Sequence, residues 1–132
     1  MMIVLDHTIV YADDAPEAAE FLAGLLGLPD PQPTPDGRYL AVALPGGPTL
    51  RYTHTRWGLP VLSQHYAFAV SDREFDEIYG RLRDRSLPHW ADARHAVPAT
   101  VGATPHGRRV FLLDPAGHDL EILTRVEPEQ CV

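Results

Sequence analysis

The stretch Phe111-Leu112-Leu113-Asp114-Pro115-Ala116-Gly117-His118-Asp119-Leu120-Glu121 decides how the rest of the chain is read. Asp114, Pro115 and Gly117 stand first, second and fourth, where a type I turn favours an aspartate, a proline and a glycine. Arg109 to Leu113 ahead of the turn and Asp119 to Thr124 behind it are rich in apolar, strand-forming residues. Two strands joined by a tight turn follow.

The same ending occurs earlier. Leu50-Arg51-Tyr52 aligns with Leu120-Glu121-Ile122, and Thr49 to Thr55 follows Arg38 to Leu44 across Pro45-Gly46-Gly47-Pro48, a turn signal. Further outward, Ile3 to Tyr11 and Gln64 to Ser71 each read as a strand preceding a helix. The first helix has Asp13-Asp14 and Pro16 at its start, Ala18, Phe21, Leu22, Leu25 and Leu26 at helical spacing, and Gly27 as its stop. The second begins at Asp72 and places Phe75, Ile78, Tyr79 and Leu82 on one face. His7 precedes Asp14 by seven residues, as His65 precedes Asp72, and Leu28-Pro29 and Leu87-Pro88 close the two helical units. Residues 29–36 read as a loop with a short edge strand, and Leu87 to Ala91 as a short strand before a proline-broken loop to His106. A β-α-β-β-β unit is therefore used twice, and neither copy can bury its apolar face alone. Two such units give two sheets that can close into one cup.

At 132 residues the chain reads as one domain, 1–132, with module one at 1–58 and module two at 62–126. Hydrophobic residues at 45% and charged residues at 22% suit a globular core. Eleven basic residues against 18 acidic give a net charge of −7, which supplies no basic face for nucleic acid. All 11 are arginine, so Schiff-base and P-loop lysine chemistry are excluded. Cys131 is the only cysteine, which excludes an intrachain disulfide and a cysteine-rich zinc site. No apolar run reaches the roughly 18 residues of a membrane span. MMIVLDHT lacks the basic start of a signal peptide, and a cytoplasmic location is the expectation.

On these residues the chain resembles the vicinal oxygen chelate superfamily, which includes glyoxalase I, extradiol dioxygenases, fosfomycin-resistance proteins and bleomycin-resistance proteins. The resemblance runs from Leu5 to Arg125. It rests on Leu5-Asp6-His7-Thr8-Ile9-Val10, on Gln64-His65-Tyr66-Ala67-Phe68 and on the Phe111 to Glu121 stretch. It implies an α+β fold whose two modules form a cup-shaped mixed sheet around a metal site, and a homodimer whose modules pair within one chain or exchange between chains. Carried over by position, the implied metal ligands are His7, His65 and Glu121, with Arg51 at the fourth place. Two imidazoles and a carboxylate with open positions form the facial triad of non-heme iron(II) oxygenases. One divalent metal is expected, Fe(II) favoured, with Mn(II), Zn(II) or Ni(II) also suited to these ligands.

Strand parity sets other histidines aside. His118 and His54 lie three residues from Glu121 and Arg51, so each faces the other side of a continuous strand. His89, His95 and His106 lie on or beside the long second-module loop, where any could donate or accept a proton. The unpatterned stretch Asp92 to His106 reads as a cover over the cup mouth.

The resemblance implies a metal-dependent enzyme acting on a small-molecule substrate, with dioxygenase-type oxidoreductase chemistry favoured and lyase or transferase chemistry as alternatives. Arg51 argues against glyoxalase activity, because a cation cannot ligate a cation. Ile9 and Phe111 replace the threonine and tyrosine of fosfomycin-resistance transferases, and Phe111 leaves the acid–base partner of an extradiol dioxygenase unassigned. Arg51 is expected to face the cup and bind an anionic or phenolic part of the substrate. The second class is a metal-free protein that binds an antibiotic, offering Tyr52, Trp57, Tyr66 and Trp90 as aromatic surface. A third is a regulatory domain with a relic site. Burying a histidine pair and a carboxylate without a metal is costly, and that favours the enzyme.

Overall fold

The computed structural model describes residues 1–125; Cys131 lies outside them. In chain order the elements are β1 (His7–Ala12), α1 (Ala15–Leu26), β2 (Gln32–Pro33), β3 (Leu40–Ala43), β4 (Thr49–His54), β5 (His65–Ala69), α2 (Asp72–Asp84), β6 (Gly102–Thr104), β7 (Gly107–Leu113) and β8 (Asp119–Leu123). The β-α-β-β-β unit is present twice. The strands form two four-stranded mixed sheets, ordered β1-β4-β3-β2 and β5-β8-β7-β6. In each, the first strand runs parallel to the last and the remaining neighbours are antiparallel. The chain divides into two compact units, Met1–Leu62 with Asp114–Gly117, and Ser63–Leu113 with the chain from His118 onward.

The duplicated register holds to the residue. His7 pairs with Thr49 and Ile9 with Arg51, while His65 pairs with Asp119 and Ala67 with Glu121. Even the hydrogen bond that opens each parallel ladder recurs. The Thr49 N–H donates to the Asp6 carbonyl at 2.9 Å, and the Asp119 N–H donates to the Gln64 carbonyl at 2.8 Å.

Local chemistry explains the helices. Asp14 caps α1 by accepting from the Glu17 N–H at 3.0 Å, with Pro16 in the first turn, and Gly27 ends it in the left-handed region at φ 72°. Ser71 and Glu74 close a reciprocal capping box on α2. Arg108 on β7 ties this helix start to the sheet, with one nitrogen 2.8 Å from Asp76, another 3.0 Å from Asp72, and its guanidinium over the Phe75 ring.

Burial divides each sheet into two faces. In the first unit Val10, Ala12, Val42, Leu50 and Tyr52 are buried along with Ala18, Ala19 and Leu22 of α1. In the second, Val110, Leu112, Leu120 and Ile122 are buried along with Phe75, Ile78 and Leu82 of α2. Each such aliphatic side chain contributes about 1.5–3 kcal/mol of burial. Because side chains alternate, the opposite faces carry His7, Ile9 and Arg51 in one unit and His65, Asp119 and Glu121 in the other.

Three local expectations change. The strand expected over Ile3 to Tyr11 begins at His7, and Met1–Leu5 is exposed. Leu87 to Ala91 forms no strand; only Trp90 bridges, to Phe111 and to Pro98. The expected loop to His106 contains β6, where Gly102 lets the backbone approach Ala91 so closely that a Cβ would strike the Ala91 carbonyl oxygen. Proline density had masked these short pairings. Among the described residues no helix is long and apolar enough to cross a membrane.

Candidate functional site

Glu121 and His65 meet on neighbouring parallel strands. His65 Nε2 lies 3.0 Å from Glu121 Oε1, although their backbones are offset by two residues in the register. A two-residue offset keeps both side chains on one face, and the long glutamate spans the remaining distance. Glu121 is largely covered, with 15% of its side chain exposed, while 47% of the His65 side chain is open. Covering them from the next strand is Phe111, which pairs with Glu121 and whose ring centre lies 6.2 Å from that of His65. A phenyl ring here excludes water and holds no proton.

Asp119 and His95 extend the cluster. Asp119 Oδ2 lies 3.7 Å from His65 Nδ1, and its Oδ1 lies 3.2 Å from His95 Nε2. The His95 ring stacks on Trp90 at 4.0 Å between centres and only 2° between planes. Its backbone sits at φ 58°, a strained position for a histidine. Asp92 fixes the loop by accepting from the N–H groups of Ala96 and Val97. Those bonds, led by Val97, hold the Asp92 carboxyl below its ordinary value of 3.8. The sequence placed His95 on a loop near the site but gave no signal for the Asp119 contact, which depends on a left-handed backbone.

In the first unit His7 Nδ1 lies 2.7 Å from Asp6 Oδ2, and 41% of the His7 side chain is open. The Asp6 carboxyl is held below its usual range by this hydrogen bond and by the neighbouring His7 and Arg51 charges. Arg51 shares the His7 face of the sheet, between Ile9 and Ala41. Its Nε is buried and has no hydrogen-bond partner among the described residues. That orphaned donor sits at the register position that Glu121 occupies in the second unit.

Three other histidines are structural. His118, 1% exposed, accepts from the Gln64 N–H at 3.0 Å and meets Tyr66 edge-on, so it secures the turn as its parity predicted. His89 donates from Nδ1 to the Leu87 carbonyl and accepts at Nε2 from the Tyr79 hydroxyl. His54 Nδ1 donates to the Asp13 carbonyl at 3.1 Å. A shallow hollow of about 390 Å³ beside Leu87, Trp90 and Pro98 is lined by none of the expected ligands.

Two ligands each about 2.0–2.2 Å from one ion, at a right angle or slightly wider, lie roughly 3 Å apart. The His65–Glu121 pair has that spacing, and its donor types fit a divalent first-row metal. Among the described residues no group of three or more His, Cys, Asp or Glu side chains is gathered tightly enough to hold a metal.

No protein-family profile matches the chain, and neither does any curated protein sequence. Solved structures do match. Oxidase ChaP-H1 is 46% identical, with a TM-score of 0.88 over 95% of this chain and 98% of that one. Oxidase ChaP-H2 is 42% identical, with a TM-score of 0.88 over 97% and 98%. TnmS3, an antibiotic binding protein from Streptomyces sp. CB03234, is 22% identical, with a TM-score of 0.69 over 95% and 98%, a likeness of fold alone. The duplicated β-α-β-β-β register, the two mixed sheets and near-full-length likeness to two oxidases lead to one conclusion: this chain belongs to the vicinal oxygen chelate superfamily.

Proposed function

We propose that this protein is a metal-dependent oxidoreductase with dioxygenase-type chemistry, acting on a small anionic or phenolic substrate. The observation that carries this reading is the His65–Glu121 pair at 3.0 Å, in a chain 46% identical to a named oxidase. His65 and Glu121 would supply two ligands to one divalent metal, Fe(II) favoured, and His7 the third from the equivalent strand of module one. The family resemblance supports a homodimer, and His7 would come from the same chain or a partner copy. Such a metal, when bound, supplies Lewis acidity and a centre for oxygen activation.

The chain's own residues would do the rest. The buried Arg51 Nε needs an acceptor, and an anionic oxygen of the substrate supplies one with charge assistance. A guanidinium also disfavours a cationic substrate, which fits a phenolate or carboxylate better than an amine. Phe111 keeps water from the Glu121 side. The likeness to antibiotic-binding TnmS3 extends only to fold, so the oxidase likeness favours catalysis over sequestration.

Oxygen uptake by Fe(II)-loaded protein, measured against a panel of phenolic and aromatic carboxylic acids, tests this. Uptake that accompanies substrate loss and disappears in Glu121→Ala is expected. Tight binding of such a compound to the Fe(II)-loaded protein without any uptake or conversion would overturn the enzymatic reading.

A further inference from the structure

Each candidate imidazole has one carboxylate facing its Nδ1, and the two modules supply it from different positions. In module one it is Asp6, the residue before the histidine, 2.7 Å away. The position paired with that histidine across the ladder is Thr49. In module two the arrangement is reversed: the residue before the histidine is Gln64, and the paired position is Asp119, at 3.7 Å. The equivalent backbone bonds, Thr49 to Asp6 and Asp119 to Gln64, show that these are the same two places in the repeat. One acid is present per module in either slot, and the other slot is uncharged. Packing gives no reason for this, since the Asp6 side chain is 87% exposed.

An imidazole that ligates through Nε2 carries its proton on Nδ1, and a carboxylate there fixes the ring and its tautomer. His65 Nε2 already faces Glu121, so its Nδ1 is the atom free to be steered. Asp119 is itself held: its other oxygen accepts from His95 Nε2, and His95 is fixed by its stack on Trp90.

We propose that Asp6 and Asp119 are the positioning carboxylates of His7 and His65, orienting both imidazoles for metal, and that His95 holds Asp119 in that role. This rests on the metal-dependent reading above. The strained His95 backbone and the Asp92 bonds beneath it are then what the loop is built to present.

Anaerobic titration of Fe(II) against a competing chromophoric chelator reads the effect. Asp6→Gln and Asp119→Asn should each weaken Fe(II) binding by roughly 10–100-fold, while the metal-free proteins melt at the wild-type temperature. His95→Phe keeps the stack on Trp90 but removes the donor, and should weaken binding by a smaller factor. The decisive arm is a transplant. Asp6→Gln combined with Thr49→Asp gives module one the arrangement of module two and should restore affinity to within a few-fold of wild type. Wild-type affinity in either single variant, or no recovery in the combined one, overturns the positioning role. If wild type binds Fe(II) and His65→Ala does not, such a failure leaves the metal reading standing. If wild type binds no Fe(II), both fall together.

Discussion

His65 Nε2 stands 3.0 Å from Glu121 Oε1 across the β5–β8 ladder, and Arg51 takes the place of Glu121 in the β1–β4 ladder. One duplicated register thus holds an acid in one unit and a base in the other. The acid has found a partner in its own unit, whereas the base keeps a buried nitrogen without a hydrogen-bond partner among the described residues.

That nitrogen leads to the first prediction. Arg51→Leu removes a buried Nε donor that has no hydrogen-bond partner among the described residues, so the stability of the free protein should change by no more than about 1 kcal/mol. Affinity for an anionic substrate should fall by roughly 10–100-fold, the worth of charged hydrogen bonds at about 1.5–3 kcal/mol. Thermal melts with ligand-binding titrations check both. Unchanged substrate affinity would remove Arg51 from the site.

Arg51→Glu asks more. It copies the Glu121 position into module one and should tighten metal binding while turnover of an anionic substrate collapses. Wild-type values for both quantities would place Arg51 outside the site.

Acid should weaken α2 in a defined way. The Glu74 carboxyl is held below its ordinary 4.5 by accepting from the Ser71 backbone N–H, with a smaller effect from the Ser71 side chain. A depressed carboxylate contributes stability that is present above its unfolded value and lost as pH falls through the folded one. The Glu74→Gln variant should therefore show a shallower loss of stability below about pH 4.5. Ser71→Ala should cost about 1 kcal/mol at neutral pH. Denaturant titrations from neutral to acid pH measure both, and parallel wild-type and Glu74→Gln curves would count against the box.

His118→Leu should destabilise the second unit by about 1–3 kcal/mol, because the Gln64 N–H loses its buried imidazole acceptor. Metal binding by purified, folded protein should persist. A loss of metal without loss of stability would move His118 from the turn into the site.

Much of the architecture was legible because its signals are local and doubled. Asp14 and Gly27 mark one helix, Asp72 and the Phe75, Ile78 and Leu82 face mark the other, and the Asp114-Pro115-Ala116-Gly117 turn fixes the last hairpin. That His65 and Glu121 belong together was implied by the family resemblance, and the β5–β8 register shows how they meet. The acids at Nδ1 were not legible. Asp6 is a single acid within the stretch expected to be a strand, and Asp119 reaches His95 only through a left-handed residue stacked on Trp90. Such a contact is set by tertiary packing, and it leaves no periodic trace in the chain. The strand β6 escaped because Pro98 and Pro105 flank it and mark the stretch as loop.

The most direct measurement is the metal content of untagged protein purified anaerobically, compared with His7→Ala, His65→Ala and Glu121→Ala. About one divalent ion per chain is predicted for the wild-type protein, and each variant should remain folded and lose stoichiometric metal. A folded wild-type protein that takes up no Fe(II), Mn(II), Zn(II) or Ni(II), or a triad variant that keeps full occupancy, would contradict the account.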